Sequence, residues 1–214
     1  MLSRMQAPQR EDKNWFQFAA GLMPVLCADY ISLRLLARLE PLTTALAIAP
    51  KSLDVVEKSL KLFFSVRTES NTALSDAASE YGHDIEKLRS ACAKLSPEFA
   101  EDDVCALTKH LNDRSGKLYQ YMRYGSEITT QGHEYGAAAL PVVDKVFSKS
   151  ILLLPEQHRR VLFFCSPLKN LITGSHFDQS VNRDLLLRVL EEDNPHFVEL
   201  VDLSHKLDKE HTAL

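Results

Sequence analysis

Pro50-Lys51-Ser52-Leu53-Asp54-Val55-Val56-Glu57-Lys58-Ser59-Leu60-Lys61-Leu62-Phe63-Phe64 is the stretch on which the fold turns. Leu53, Val56, Leu60, Phe63 and Phe64 recur at three- and four-residue spacing, which places them on one face of a helix. Pro50 suits the first position of that helix, where a backbone N–H has no partner to lose. Strand-like alternation of β-branched residues is missing from the rest of the chain, and only the short apolar runs 151–154 and 161–165 could be claimed by a strand. The pattern predicts an all-α fold, a helical bundle with a C-terminal helical extension.

Toward the N-terminus, residues 41–49 read as a short apolar piece, and Glu40-Pro41 ends a helix over 29–39 that places Ile31, Leu35 and Leu39 on one face. Asn14 is positioned to cap a helix through Phe16, Ala19, Leu22 and Met23, which Pro24 either kinks or restarts. Residues 1–13 are polar and expected to be flexible. Toward the C-terminus, 67–82 reads as a loop stopped by Gly82, and Asp84 as the N-cap of a helix burying Ile85, Leu88, Cys92 and Leu95. Ser96-Pro97-Glu98 reads as the start of another helix, running through Phe99, Val104, Leu107, Leu111, Leu118, Tyr121 and Met122, in one piece or in two halves broken near Gly116. Residues 125–136 read as a loop. Helices are then expected over 140–154, 155–172 with an interruption at Ser166-Pro167, 178–190, and 196–207. The expected organisation is a bundle over 14–135 and a helical extension over 136–214 packed on it.

Composition narrows the class. The chain has 214 residues, 45% hydrophobic and 25% charged, enough to bury a core without covalent staples. A net charge of −4 is not that of a general nucleic-acid binder, though it leaves a local basic patch open. Cys27, Cys92, Cys105 and Cys165 form no C-x-x-C pair and sit among apolar neighbours, so they read as buried free thiols in a reducing, cytoplasmic setting. The apolar stretch 16–28 is shorter than the about 20 residues that span a bilayer, and mixed charges precede it rather than a basic leader, so it reads as a core helix with no membrane role.

Three motifs, in order, carry a family resemblance. Val55-Val56-Glu57-Lys58-Ser59-Leu60-Lys61 sets a Glu and a Lys four apart among apolar residues. Tyr81-Gly82-His83-Asp84-Ile85-Glu86-Lys87-Leu88 opens the next helix with Gly-His-Asp. Tyr121-Met122-Arg123-Tyr124-Gly125 closes a later one. Over about residues 30–125 the chain resembles a HEPN domain (higher eukaryotes and prokaryotes nucleotide-binding). The resemblance implies a bundle of four or five helices, pairing as a homodimer, and either a ribonuclease or a non-catalytic module that binds RNA or a nucleotide. The catalytic branch of that family carries Arg-x(4–6)-His on one helix. Here no Arg precedes a His at that spacing, and Arg123 is separated from His133 by two glycines. The resemblance therefore points to a non-catalytic member, with Glu57, Lys61, His83, Asp84, Arg123 and Tyr124 as the ligand-binding set.

Each of these residues also has a plainer reading. Glu57 and Lys61 are either a surface ion pair or a polar pair inside the bundle. His83-Asp84 is either a turn and a cap or a helix N-terminus that docks a phosphate. Arg123 and Tyr124 either complement a helix C-terminus or reach toward Glu57 or a phosphate. His158-Arg159-Arg160, with Lys145, Lys149 and Lys169, is the local candidate for an RNA-facing patch, against a solvated face. Histidines at helical metal-site spacing, H-E-x-x-H, the P-loop and dinucleotide glycine motifs and Gly-x-Ser-x-Gly are all missing, so no metal, cofactor or hydrolase elbow is expected. The alternatives are a metal-independent ribonuclease, with His83 as acid or base and Arg123 steadying the phosphorane, and a structural or protein-binding protein whose C-terminal helices present an apolar surface.

Overall fold

The computed structural model describes residues 15–38, 41–70, 84–112, 131–164, 166–174 and 182–212. Nine α-helices and one 3-10 turn account for nearly all of them, and no strand occurs among the described residues. The fold is an all-helical bundle.

The first helix, α1 (Trp15–Leu36), is continuous through Pro24. A proline inside a helix costs ~3 kcal/mol or more. The buried stripe Ala19, Met23, Leu26, Cys27, Tyr30 and Leu33 continues on both sides of it, and burying each large side chain returns ~1.5–3 kcal/mol. Packing therefore outweighs the proline. The same correction applies to α2 (Pro41–Thr68), which begins at Pro41 and carries Pro50 inside. Its buried face is Val55, Val56, Leu60, Leu62, Phe63 and Val66, interleaved with buried Ser52, Ser59 and Ser65, whereas Leu53 and Phe64 are only partly covered. The face is broader than a single stripe because α2 is sandwiched, packing chiefly on α1 and on α5 (Gln131–Leu152). Small serines between the larger residues let neighbouring backbones come close.

Three expectations at element ends change. Pro97–Ala100 is a 3-10 turn, not the start of a long helix, and Ser96 makes no backbone capping bond. Glu101 is extended and α4 (Asp102–Asn112) starts after it. Tertiary contacts set this break: Phe99 is buried against Phe63, centroids 4.6 Å apart, and Lys145 of α5 bonds Glu101 at 2.6 Å and Asp103 at 2.8 Å. Helix α5 begins within the expected 125–136 loop and runs through Pro141, its packed stripe of Ala139, Val143, Val146, Phe147 and Ile151 again overriding local breakers. By contrast, Asp84 caps α3 (Ile85–Ala93) as expected, its carboxylate accepting from the Lys87 N–H at 2.9 Å.

The C-terminal part holds α6 (Glu156–Phe164), α7 (Pro167–Thr173), α8 (Arg183–Glu191) and α9 (Pro195–Thr212). Ser166 caps α7, Asn182 caps α8, and Gly174 ends α7 in the left-handed region at φ 75°. All nine helices contribute to one apolar core. The expected boundary at 135/136 falls inside α5, and the core is continuous across it. Helix α1 is longer than its apolar stretch suggested, and its 22 residues pass the length and composition test for a bilayer span. Here it is a core helix, burying seven of its residues. Residues 1–13, 71–83, 113–130 and Cys165, with the flexible terminus and loop expected there, lie outside the described residues.

Candidate functional site

Of the six expected site residues, Glu57, Lys61 and Asp84 are placed, while His83, Arg123 and Tyr124 lie outside the described residues. Glu57 and Lys61 sit one turn apart on α2 and bond to each other. Their side chains are 14% and 17% exposed, which is too sequestered for a solvated surface pair. The pair lies at the edge of the buried face. Helix α3 packs on α2, so the Asp84 cap and the Glu57–Lys61 pair belong to neighbouring helices. Asp84 already supplies an anion to the α3 N-terminus, satisfying one of its unpaired N–H groups. The capping reading of Asp84 is therefore the one the geometry carries.

Over residues 51–58, α2 meets α1 through a compact charge cluster. Asp29 accepts from Lys51 at 2.6 Å and from Lys58 at 2.5 Å, and Lys58 lies 3.9 Å from Asp54. Burial would raise Asp29, but the two lysine hydrogen bonds outweigh it and hold the carboxyl below its ordinary range. Burial raises Asp54.

The basic candidates resolve into paired groups. Arg159 donates to the Leu152 carbonyl at 2.6 Å, and Arg160 pairs with Glu210. Lys145 is held by Glu101 and Asp103, and Lys149 by Glu199 at 2.9 Å. Lys169 is buried, bonds Asp208 at 3.0 Å and lies 4.4 Å from the centre of the Phe164 ring. His158 faces Trp15 and Glu69. These six side chains have partners within the fold and, among the described residues, do not form an open basic patch.

A buried polar network among the described residues was not anticipated from the sequence. Tyr30 donates to Asp144 Oδ1 at 2.8 Å and Arg34 donates to Asp144 Oδ2 at 3.1 Å. Arg34 also donates to the Val189 carbonyl at 3.0 Å and to the Glu192 carbonyl. Asn194 donates to the Tyr30 oxygen at 2.7 Å and to the Leu190 carbonyl at 2.9 Å. Tyr30 stacks on Phe147, centroids 3.7 Å apart. Burial pushes Asp144 up to about 6, against the opposing pull of Arg34 and the Tyr30 hydrogen bond, and Tyr30 is raised well above its usual value by burial and by Asp144. The network locks α1 and α5 to the α8–α9 turn. Its sequence signals were Arg34 and Asp144, charges flanked by apolar residues within helical patterns, and Asn194, between the helices expected over 178–190 and 196–207.

Among the described residues no three His, Cys, Asp or Glu side chains are placed to hold a metal ion. Cys27 and Cys92 are buried free thiols and Cys105 is half-buried. Burial pushes Cys27 up to about 12 and raises Cys92 further, which makes both poor nucleophiles. No protein-family model matches the sequence, and neither a curated protein nor a solved structure matches it.

Proposed function

We propose that this chain is a non-catalytic HEPN-like binding module for RNA or a nucleotide, acting as a cytoplasmic homodimer. The observation that carries the reading is the sequestered Glu57–Lys61 pair on the central helix of an all-helical bundle. A charged pair of low exposure is retained at a cost in desolvation, so a role in positioning other polar groups is its natural explanation. The Asp84 cap on the adjacent helix fits the second motif. Because Asp84 occupies the α3 N-terminus, phosphate recognition falls to Arg123 and His83, with Glu57 orienting a base or an arginine. The missing Arg–His spacing supports binding without cleavage.

The test is binding and cleavage of labelled cellular RNA by wild type, Glu57→Ala, His83→Ala and Arg123→Ala, with unfolding measured alongside. Binding without cleavage that weakens in the variants supports the module. Cleavage lost in His83→Ala or Arg123→Ala makes the protein a metal-independent ribonuclease instead. Glu57→Ala with unchanged stability and unchanged binding removes the pair from any site. Neither binding nor cleavage shifts the reading to a protein partner, for which Val161, Leu185 and Val198 are exposed on the C-terminal helices.

A further inference from the structure

Helix α1 has no charged face. Its inner stripe lies in the core, and its two charges are both engaged: Arg34 is buried on Asp144, and Asp29 is held at the flank by Lys51 and Lys58 of α2. On the outer side Gln17, Ala20, Gly21, Val25 and Ala28 are exposed, and Pro24 among them is half-buried. Ser32 and Leu35 continue the same line, so an uncharged strip about 27 Å long, at 1.5 Å per residue, faces outward. Charge returns only at Arg38, which pairs with Glu192 at 2.5 Å.

A surface helix of a globular protein turns charged and polar residues outward, and a helix that lacks them is covered. The same lack lets α1 pass the length and composition test for a bilayer span, although seven of its 22 residues are in the core. Lipid is a poor cover for this strip. Ala20, Gly21 and Ala28 offer it little apolar area, and between Gln17 and Leu35 the helix exposes no lysine or arginine to meet a headgroup.

The strip is complementary to itself in relief and in charge. A Cβ built on Gly21 meets no atom within 4 Å, so the backbone is bare there. Val25, one turn on, is 50% exposed. They form a socket and a knob on one side of the helix. A two-fold axis crossing α1 between them seats each copy's Val25 over the other's Gly21, the reciprocal pairing that an isologous interface requires. The small side chains at Ala20 and Ala28 let the two backbones come close. Each copy carries a net charge of −4, so two copies repel unless they meet through a neutral face, and this face is neutral.

We propose that the outer face of α1 is the seam of a homodimer, in which α1 packs antiparallel on α1 of a second copy with Val25 in the gap above Gly21. The seam rests on the homodimer proposed above and not on its ligand. A single helix crossing belongs with the small interfaces, below ~1,200 Å² in total, so the dimer is expected to form in the micromolar range.

The experiment is sedimentation velocity on the full chain across the micromolar range, with circular dichroism as the fold control and labelled RNA binding measured on the same samples. Wild type is expected to pass from monomer to dimer. Val25→Glu and Val25→Lys, each alone, should stay monomeric at every concentration, and an equimolar mixture of the two should dimerise again. Gly21→Leu is the second variant: it has room in the monomer and fills the socket, so it should weaken the dimer at least tenfold. A wild type that stays monomeric overturns the seam, and one that instead sediments with phosphatidylcholine–phosphatidylglycerol vesicles overturns it in favour of lipid. A dimer that Val25→Glu and Gly21→Leu leave intact also overturns it, because another surface then holds the copies together. A dimer that these variants dissociate supports the seam whether or not RNA binds, and the RNA measurement alone decides the ligand reading.

Discussion

Replacing Asp144 by alanine strips the carboxylate acceptor from a buried polar network. The Asp144 side chain is 1% exposed and its partner Arg34 3% exposed. Without the carboxylate, the guanidinium keeps only the Val189 and Glu192 carbonyls, and the Tyr30 hydroxyl loses its acceptor. Removing one partner of such a pair costs ~3–5 kcal/mol, mostly because the remaining charge stays buried and uncompensated. Domains of this class have total stabilities of ~5–15 kcal/mol, so the variant loses a large part of its margin. Urea unfolding followed by circular dichroism at neutral pH measures the change, with an unchanged slope showing that the native and unfolded surfaces are the same. Arg34→Met combined with Asp144→Leu removes both charges together and should recover most of the loss, giving a strongly non-additive double-mutant cycle. A loss under ~1 kcal/mol for Asp144→Ala, or additive single effects, would refute the account of the network as the lock between α1, α5 and the α8–α9 turn.

The same residue sets a pH dependence. Its folded-state value of about 6 lies above the ~3.9 of an unfolded aspartate, so the folded state binds this proton more tightly. Asp144 therefore contributes least above pH ~6 and progressively more as pH falls toward ~4, and the stability of wild type relative to Asp144→Asn should rise over that window by up to about 3 kcal/mol in paired urea titrations. Asp84→Ala removes the α3 cap and should cost ~1 kcal/mol in the same assay; no loss would mean that the cap is redundant. Glu69→Gly relieves the left-handed cap of α2 and should raise stability by about 0.5–1 kcal/mol, measured by thermal unfolding.

The all-α fold was legible because periodicity is a local property: Val56, Leu60 and Phe63 define a helix face whatever they pack against. The Asp84 cap was legible for the same reason, since it acts on an N–H three residues away, whereas Ser166 reads in the sequence only as an interruption and proves to be the cap of α7. Pro50 is not the helix start that its sequence suggests, and of the two readings of Pro24 the restart fails, because both prolines are local breakers whose cost is overridden by distant packing partners. The site was legible only in part. Glu57 and Lys61 could be put on one face by spacing, but their sequestration depends on how α2 is enclosed by its neighbours. Arg159, Arg160, Lys145, Lys149 and Lys169 look alike in sequence as cations, yet each is claimed by an acid or a carbonyl elsewhere in the chain. Tyr30, Arg34, Asp144 and Asn194 meet across more than a hundred residues of chain, and no local pattern encodes such a meeting. By itself the sequence determined which segments are helical and which faces are apolar, because both follow from neighbours one turn away. Tertiary structure alone decided which charges are buried, paired or left to act, because desolvation and Coulomb energy depend on distances that only the assembled bundle creates.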